Sequence, residues 1–241
     1  MNDNLDQLIR NLKLRGIASC IERELTRATK DNSSYSEFLE RLFREEYLYR
    51  QERSLQYRIR QAAFPERWSL QTFPFDKQPG VRQAAIRELA ELDFVLTATN
   101  LVFIGPTGVG KSGLASALML KALENGYRGL FVKAQDLFDE MYSSIADRSS
   151  RRLINRLMNI DVLLVDEMGY LNLQPQQSNL FFKLMDERYR RKATIITTNL
   201  EYEEWYDFLG QKKMVEALLD RIRHHCTTIR IDGPSLRDRD E

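Results

Sequence analysis

Gly105-Pro-Thr-Gly-Val-Gly-Lys-Ser112 constrains this chain more than any other stretch. It fits G-x-x-x-x-G-K-[ST] at every fixed position. It follows an apolar run, Leu101-Val-Phe-Ile104, and opens a segment with an apolar helical face. A strand, a tight glycine turn and a helix N-terminus, in that order, make a cradle for an oxyanion. Gly105, Gly108 and Gly110 let the backbone close round the anion, and Pro106, Thr107 and Val109 complete the loop. Loop N–H groups and the helix dipole supply positive potential. Lys111 is expected to reach the β- and γ-phosphates of a nucleoside triphosphate, and Ser112 to ligate its Mg2+.

A second apolar run, Val162-Leu-Leu-Val165, ends in Asp166-Glu167. Open α/β sheets bind ligands at the carboxyl ends of their strands, so Asp166 falls where the Mg2+ shell needs a carboxylate. Glu167 is expected to orient and deprotonate the attacking water. The adjacent acids point to an ATPase of the additional-strand type rather than a GTPase or small-molecule kinase. No N-K-x-D guanine-reading motif follows. The run Ala193–Thr198 leads into Asn199, expected to lie between the motif strands as a polar sensor of the γ-phosphate. The plainer alternative for Asn199 is a strand-ending turn residue.

Five apolar runs, Asn100–Ile104, Gly129–Lys133, Asp161–Val165, Ala193–Thr198 and Thr227–Ile231, alternate with helical segments at about 82–92, 111–124, 135–158, 176–190 and 213–224. This alternation predicts a parallel sheet with helices on both faces, a three-layer α/β sandwich. Residues 1–65 read as helix. Leu5, Leu8, Ile9 and Leu12 share one helical face, as do Ile17, Ile21 and Leu25. Ser34 and Glu37 form an S-x-x-E capping box before a helix expected to bury Tyr35, Phe38, Leu39, Leu42 and Phe43. Pro65, Pro74, Pro79 and Gly80 mark a linker. The expected organisation is a helical domain over 1–65 and an α/β domain over 66–241.

Lys+Arg number 36 against 35 Asp+Glu, a net charge of +1, so any nucleic-acid binding must use local patches. Arg148, Arg151, Arg152 and Arg156, with no acid between 148 and 156, form one such patch; a solvated helix face is the alternative. With 43% hydrophobic and 29% charged residues the chain is an ordinary globular one. No apolar run approaches the ~18 residues of a membrane span, and the polar start lacks the features of a secretory signal. Cys20 and Cys226, far apart and outside any CxxC, argue against a disulfide framework or Cys-rich zinc site and favour a reducing cytosol. His224 and His225 diverge on a helix with no third ligand near, so Mg2+ is the only metal expected.

Together, G-P-T-G-V-G-K-S over 105–112, L-L-V-D-E-M-G-Y over 163–170, T-T-N over 197–199, Leu218-Leu-Asp-Arg-Ile-Arg223 and Gly233-Pro-Ser-Leu-Arg237 resemble the AAA+ ATPases of the DnaA/DnaC clade. Within that clade they resemble the IstB-like helpers of insertion-sequence transposition, over essentially the whole chain. One departure is Gly113-Leu-Ala115 where such chains often read H-L-A, outside the phosphate cradle. The resemblance implies a short helical region before a compact AAA+ P-loop module without a large helical lid. It implies a homo-oligomer, ring or helical filament, hydrolysing ATP at subunit interfaces. An arginine finger then comes from the neighbour: Arg221, with Arg223 the adjacent alternative. By sequence alone Arg221 reads as a surface arginine paired to Asp220 or Glu216. Arg237 takes the role of a sensor in cis.

In this clade a helical insertion before the Asp166 strand lines the nucleic-acid path. That makes Arg148, Arg151, Arg152 and Arg156, with Lys133, candidates for contacts to duplex phosphates with little sequence preference. The Arg- and Tyr-rich stretch over 41–67 is a second candidate surface, or a plain amphipathic helix. The implied function is an ATP-dependent regulator that assembles on target DNA and recruits or activates a transposase, in the bacterial cytoplasm at the nucleoid. The alternative is a DnaC-like replicative helicase loader. An inactive nucleotide-binding module is disfavoured because Lys111, Asp166, Glu167 and Asn199 are all present.

Overall fold

The computed structural model describes residues 3–169, 171, 173–210 and 212–237. Tyr170, the last residue of the acidic motif string, lies outside the described residues. Contacts group into two units, Met1–Tyr57 and Arg58–Glu241. No helix among the described residues is long and apolar enough to cross a membrane.

The first unit holds α1 (Asp3–Asn11), α2 (Arg15–Asp31) and most of α3 (Tyr35–Gln61). Its core is small: Ile9, Ile17, Cys20, Ile21 and Leu42, with Leu14 and Phe38 packed against it. Gly16 lets α2 and α3 approach, since a Cβ there would sit 2.7 Å from the Glu46 Cα. The buried Glu46 carboxylate accepts from Gly16 N at 2.7 Å and Ile17 N at 3.1 Å, capping α2 from another helix. The expected capping box forms: Glu37 Oε2 accepts from Ser34 N at 2.8 Å, and Ser34 Oγ accepts from Glu37 N at 3.3 Å. The expected burial does not. Within the unit only Phe38 and Leu42 of the five α3 positions pack inward; Tyr35, Leu39 and Phe43, at four-residue spacing, are exposed. Leu5, Leu8, Leu12 and Leu25 are exposed too. Periodicity marks an apolar face, and this face is wider than one small core can cover.

The last turn of α3 belongs to the second unit. Arg58 Nε donates to Leu123 O at 2.8 Å, and Ala62 O accepts from Phe131 N at 2.8 Å. The division thus falls inside a helix, ahead of Pro65, where the composition changes.

The second unit adds α4 (Gln83–Leu89), a short α5 (Asp93–Leu96), β1 (Asn100–Ile104), α6 (Lys111–Glu124), β2 (Gly129–Lys133), α7 (Ala134–Ala146), α8 (Ser150–Met158), β3 (Val162–Met168), α9 (Pro175–Arg188), β4 (Ala193–Thr198), α10 (Trp205–Leu209), α11 (Lys212–His224) and β5 (Cys226–Arg230). The strands are all parallel, in the order β2-β3-β4-β1-β5. Side chains alternate across the sheet. Val102, Ile104, Leu163, Val165 and Ile196 join one core with Phe138, Leu153, Phe181 and Leu218 from α7, α8, α9 and α11. The intervening Leu101, Phe103, Leu164 and Ile195 are equally buried outside that core, and α6 packs on the sheet. This is the expected three-layer α/β sandwich.

Two differences from the expected boundaries bear on the candidate residues. The helix expected over 135–158 breaks in two. Arg148 has φ +59°, and Asp147 Oδ1 accepts from Ser149 N at 2.9 Å, a local turn that competes with the helix. β3 runs on past Val165 to Met168, so the two acids lie within the strand and not beyond it.

Candidate nucleotide site

The loop between β1 and α6 sits at the carboxyl edge of the sheet, with β4 on one side and β5 on the other. Gly108 and Gly110 have φ of +87° and +94°, which side chains resist. Thr107, Gly108, Gly110, Lys111 and Ser112 line a cavity of about 510 Å3. Pro106 contributes a carbonyl and Val109 is buried behind the loop. Lys111 Nζ donates to Gly105 O at 2.8 Å and Pro106 O at 2.7 Å, so the ammonium is held over the loop. Burial pushes its pKa below the usual lysine value, and the nearby Arg237 adds to this against the pull of Asp166.

Asp166 and Glu167 form a bulge in β3. The pairing of β3 with β4 shifts between Val165 and Met168, and Glu167 has φ +58°. A non-glycine residue held there stores about 1–3 kcal/mol of strain. The bulge leaves Asp166 only 4% exposed while the Glu167 side chain is 58% exposed. Thr197 ties the two together. Its Oγ1 donates to Asp166 Oδ1 at 2.5 Å and accepts from Glu167 N at 3.0 Å. Glu167 and Asn199 line the same cavity as Lys111. Asp166 lines an adjoining one with Ser112, Lys133 and Glu167.

Lys133 lies 3.6 Å from Glu167 Oε2 across this edge. It therefore faces the site's own carboxylate, a partner that the reading of Lys133 as a DNA contact did not include. Among the further lining residues, Trp68 and Phe73 come from the proline-marked linker and carried no motif, and Leu236 comes from the Gly233-Pro-Ser-Leu-Arg237 ending. The Trp68 and Phe73 rings meet tilted at 60°, with centroids 6.4 Å apart. Their only signal in the sequence was aromatic content in a stretch read as linker.

The family described as IstB-like ATP binding protein matches residues 7–241. The chain belongs to this family. An IstB-like relative from Pseudomonas aeruginosa, provisionally named the ATP-binding protein of insertion sequence IS21, is 35% identical over 233 residues. That match covers 97% of this chain and 88% of the relative. Among solved structures, DnaI matches with a TM-score of 0.60 at 22% identity, over 69% of this chain and 92% of DnaI. The DnaC helicase loader matches with a TM-score of 0.54 at 25% identity, over 62% and 88%. The IstB-like chain thus carries an ATP-binding AAA+ fold.

In this IstB-like chain the remaining candidates lie apart from the cavity, except Arg237, which lines it. Arg221 pairs with Asp186 of α9 at 3.1 Å, and neither Asp220 nor Glu216 is its partner in that pair. Arg223 pairs with Glu203 at 3.3 Å and lies over the Tyr202 ring at 4.7 Å. Neither arginine lines the cavity of its own phosphate loop. Arg148, Arg151, Arg152 and Arg156 are all exposed. Arg151 pairs with Glu187 at 3.2 Å and Arg156 with Glu140 at 2.5 Å. The acids absent from the local sequence come from α9 and α7. His224 Nδ1 meets Tyr189 Oη at 3.0 Å and His225 Nε2 meets Thr97 O at 2.8 Å. No group of three acidic, His or Cys residues that could hold a metal occurs among the described residues.

Proposed function

We propose that this chain hydrolyses ATP at a site shared between copies, and that the ATP-bound assembly holds duplex DNA for a transposase. One observation supports the reading above the others. Lys111, Glu167 and Asn199 meet in one cavity beside Asp166, while Arg221 and Arg223 lie outside it. A site with cradle, acid, polar sensor and Arg237 in cis, but with Arg221 and Arg223 outside it, fits completion by a finger from a neighbouring copy.

In this reading the loop amides and Lys111 bind the phosphates. Glu167, pushed out by the bulge, takes a proton from the attacking water. Thr197 fixes the angle between Glu167 and Asp166. Lys133 holds the Glu167 carboxylate at the rim until phosphate and water arrive. The donor set fits Mg2+, which takes hard oxygens: the Ser112 hydroxyl and the Asp166 carboxylate, of which Thr197 occupies one oxygen. Bound there, Mg2+ would neutralise negative charge on the nucleotide's phosphates. Asn199 senses the γ-phosphate, and Arg221 reaches it from the next copy after leaving Asp186.

The exposed arginines of α8 and the turn before it suit duplex phosphates. The pairs of Arg151 and Arg156 lie at the surface, where such pairs are worth about 0–1 kcal/mol, so phosphates compete for them readily. The relatives' insertion-sequence names support a transposase partner in a bacterial cytoplasm. The second reading, a replicative helicase loader, is favoured by the 25% identity to the DnaC helicase loader.

Duplex binding measured with ATP, with ADP and without nucleotide, across a salt series, tests the reading. ATP should promote binding with little sequence preference. Arg151→Ala with Arg152→Ala should lower affinity evenly across sequences and reduce the salt slope by about two units. No duplex affinity in ATP, beside tight binding to a hexameric helicase, would establish the loader instead.

A further inference from the structure

Asp232–Arg237 crosses the phosphate loop as a strap. Leu236 N donates to Gly108 O at 2.9 Å. A Cβ at Gly108 would sit 2.4 Å from Ser235 Oγ. A Cβ at Gly110 would sit 2.8 Å from the Phe73 ring and 3.0 Å from Leu236. The loop glycines therefore serve a second purpose besides cradling phosphate: they let the strap lie close.

Under the strap sits Gln78, wholly buried in the proline-marked linker. Its Nε2 donates to Val109 O at 3.0 Å and to Pro234 O at 3.1 Å. One side-chain amide thus joins the backbone of the phosphate loop to the backbone of the strap. Both partners are carbonyl oxygens, so only the NH2 end of the amide can face them. The other end, Gln78 Oε1, is buried without a hydrogen-bond partner among the described residues. An unpaired buried acceptor is destabilising. A Cβ at Gly233 would lie 1.7 Å from that oxygen, so only glycine lets the strap pass. Just beyond this clasp, Leu236 and Arg237 line the cavity with Lys111.

We propose that Gln78 is a positioning residue that clasps the strap to the phosphate loop and so aims Arg237 at the terminal phosphate of ATP. This rests on the ATP reading above and goes beyond it. ADP lacks that phosphate and leaves Arg237 without a target. The strap gives a compact module without a lid its own means of telling ATP from ADP. The discrimination depends on a residue that touches neither nucleotide.

Affinities of the full chain for Mg-ATP and Mg-ADP, in wild type, Gln78→Leu, Arg237→Ala and the double variant, test this. Arg237→Ala should weaken ATP about tenfold, the worth of one charge-assisted hydrogen bond, and spare ADP. Gln78→Leu should lower the ATP-to-ADP preference by a similar factor. The double variant should be no worse than Arg237→Ala alone, because Gln78 acts through Arg237. Equal loss for ATP and ADP in Gln78→Leu, or factors that multiply in the double variant, overturns the proposal. If Gln78→Leu does not fold, wild-type hydrogen exchange decides: the Leu236 amide, bonded to Gly108, should be protected, and exchange at the unprotected rate overturns the clasp. Wild type that binds neither nucleotide overturns the ATP reading itself, a result distinct from an unchanged preference in the variants.

Discussion

Asp166 and Glu167 are neighbours in the chain and opposites in environment. A one-residue bulge buries the first and exposes the second. That difference predicts separate phenotypes. Glu167→Gln should keep ATP affinity and lose about 10²–10⁴ in turnover, the usual range for losing one base. Lys111→Ala should lose affinity itself. Nucleotide binding and steady-state hydrolysis on the two purified variants check this, and equal loss of affinity in both contradicts the division of roles. Thr197→Val should fall between them, since it frees both Asp166 and the Glu167 amide. The acids and the glycine loop were legible because their chemistry is written in adjacent residues. Thr197, Gln78 and the Lys133–Glu167 pair were not. Each of those partnerships joins segments distant in sequence, and a Thr, Gln or Lys carries no sign of which partner the fold will bring.

Elements show the same boundary between what is local and what is not. Strand positions and most helix positions followed from apolar period, because burial on the sheet enforces it; the order β2-β3-β4-β1-β5 did not. The break between α7 and α8 did not, since Met141, Ile145, Leu153 and Leu157 keep four-residue helical spacing across the Asp147-Arg148-Ser149 turn that ends α7. In the first unit the period showed apolar faces, but Glu46 sets where α2 begins. Burial opposes the charge of Glu46, yet Arg50 and the amides of Ile17 and Gly16 outweigh it and hold the carboxyl below its ordinary value. The folded pKa is the lower one. The ionised form therefore contributes stability above the unfolded value of 4.5, and that contribution drains away as pH falls through the folded pKa. Glu46→Ala should lose about 0.5–2 kcal/mol near neutral pH, the worth of a helix cap. The loss should shrink once wild-type Glu46 is protonated. Thermal melting of wild type and variant across acid pH checks it; a variant deficit that stays constant into acid contradicts the role given to Glu46.

At the scale of the whole molecule, the strand order puts the phosphate loop after β1, between β4 and β5, and Asp166, Glu167 and Asn199 at the same sheet edge. Arg221, on α11 and paired to Asp186 of α9, lies outside that cavity. In the proposed reading, a cavity on one copy and a finger lying outside that cavity on the next make a head-to-tail assembly rather than a self-contained monomer. A finger supplied in trans is worth about 10³–10⁵ in rate. Arg221→Ala keeps the cradle and lacks the finger; Lys111→Ala keeps the finger and lacks the cradle. The decisive measurement is ATP turnover by each variant alone and by an equal mixture under assembling conditions. Each alone should be inactive, and the mixture should recover activity at about a quarter of its interfaces, those that join an intact cradle to an intact finger. A mixture that assembles and still turns over no ATP contradicts the shared site.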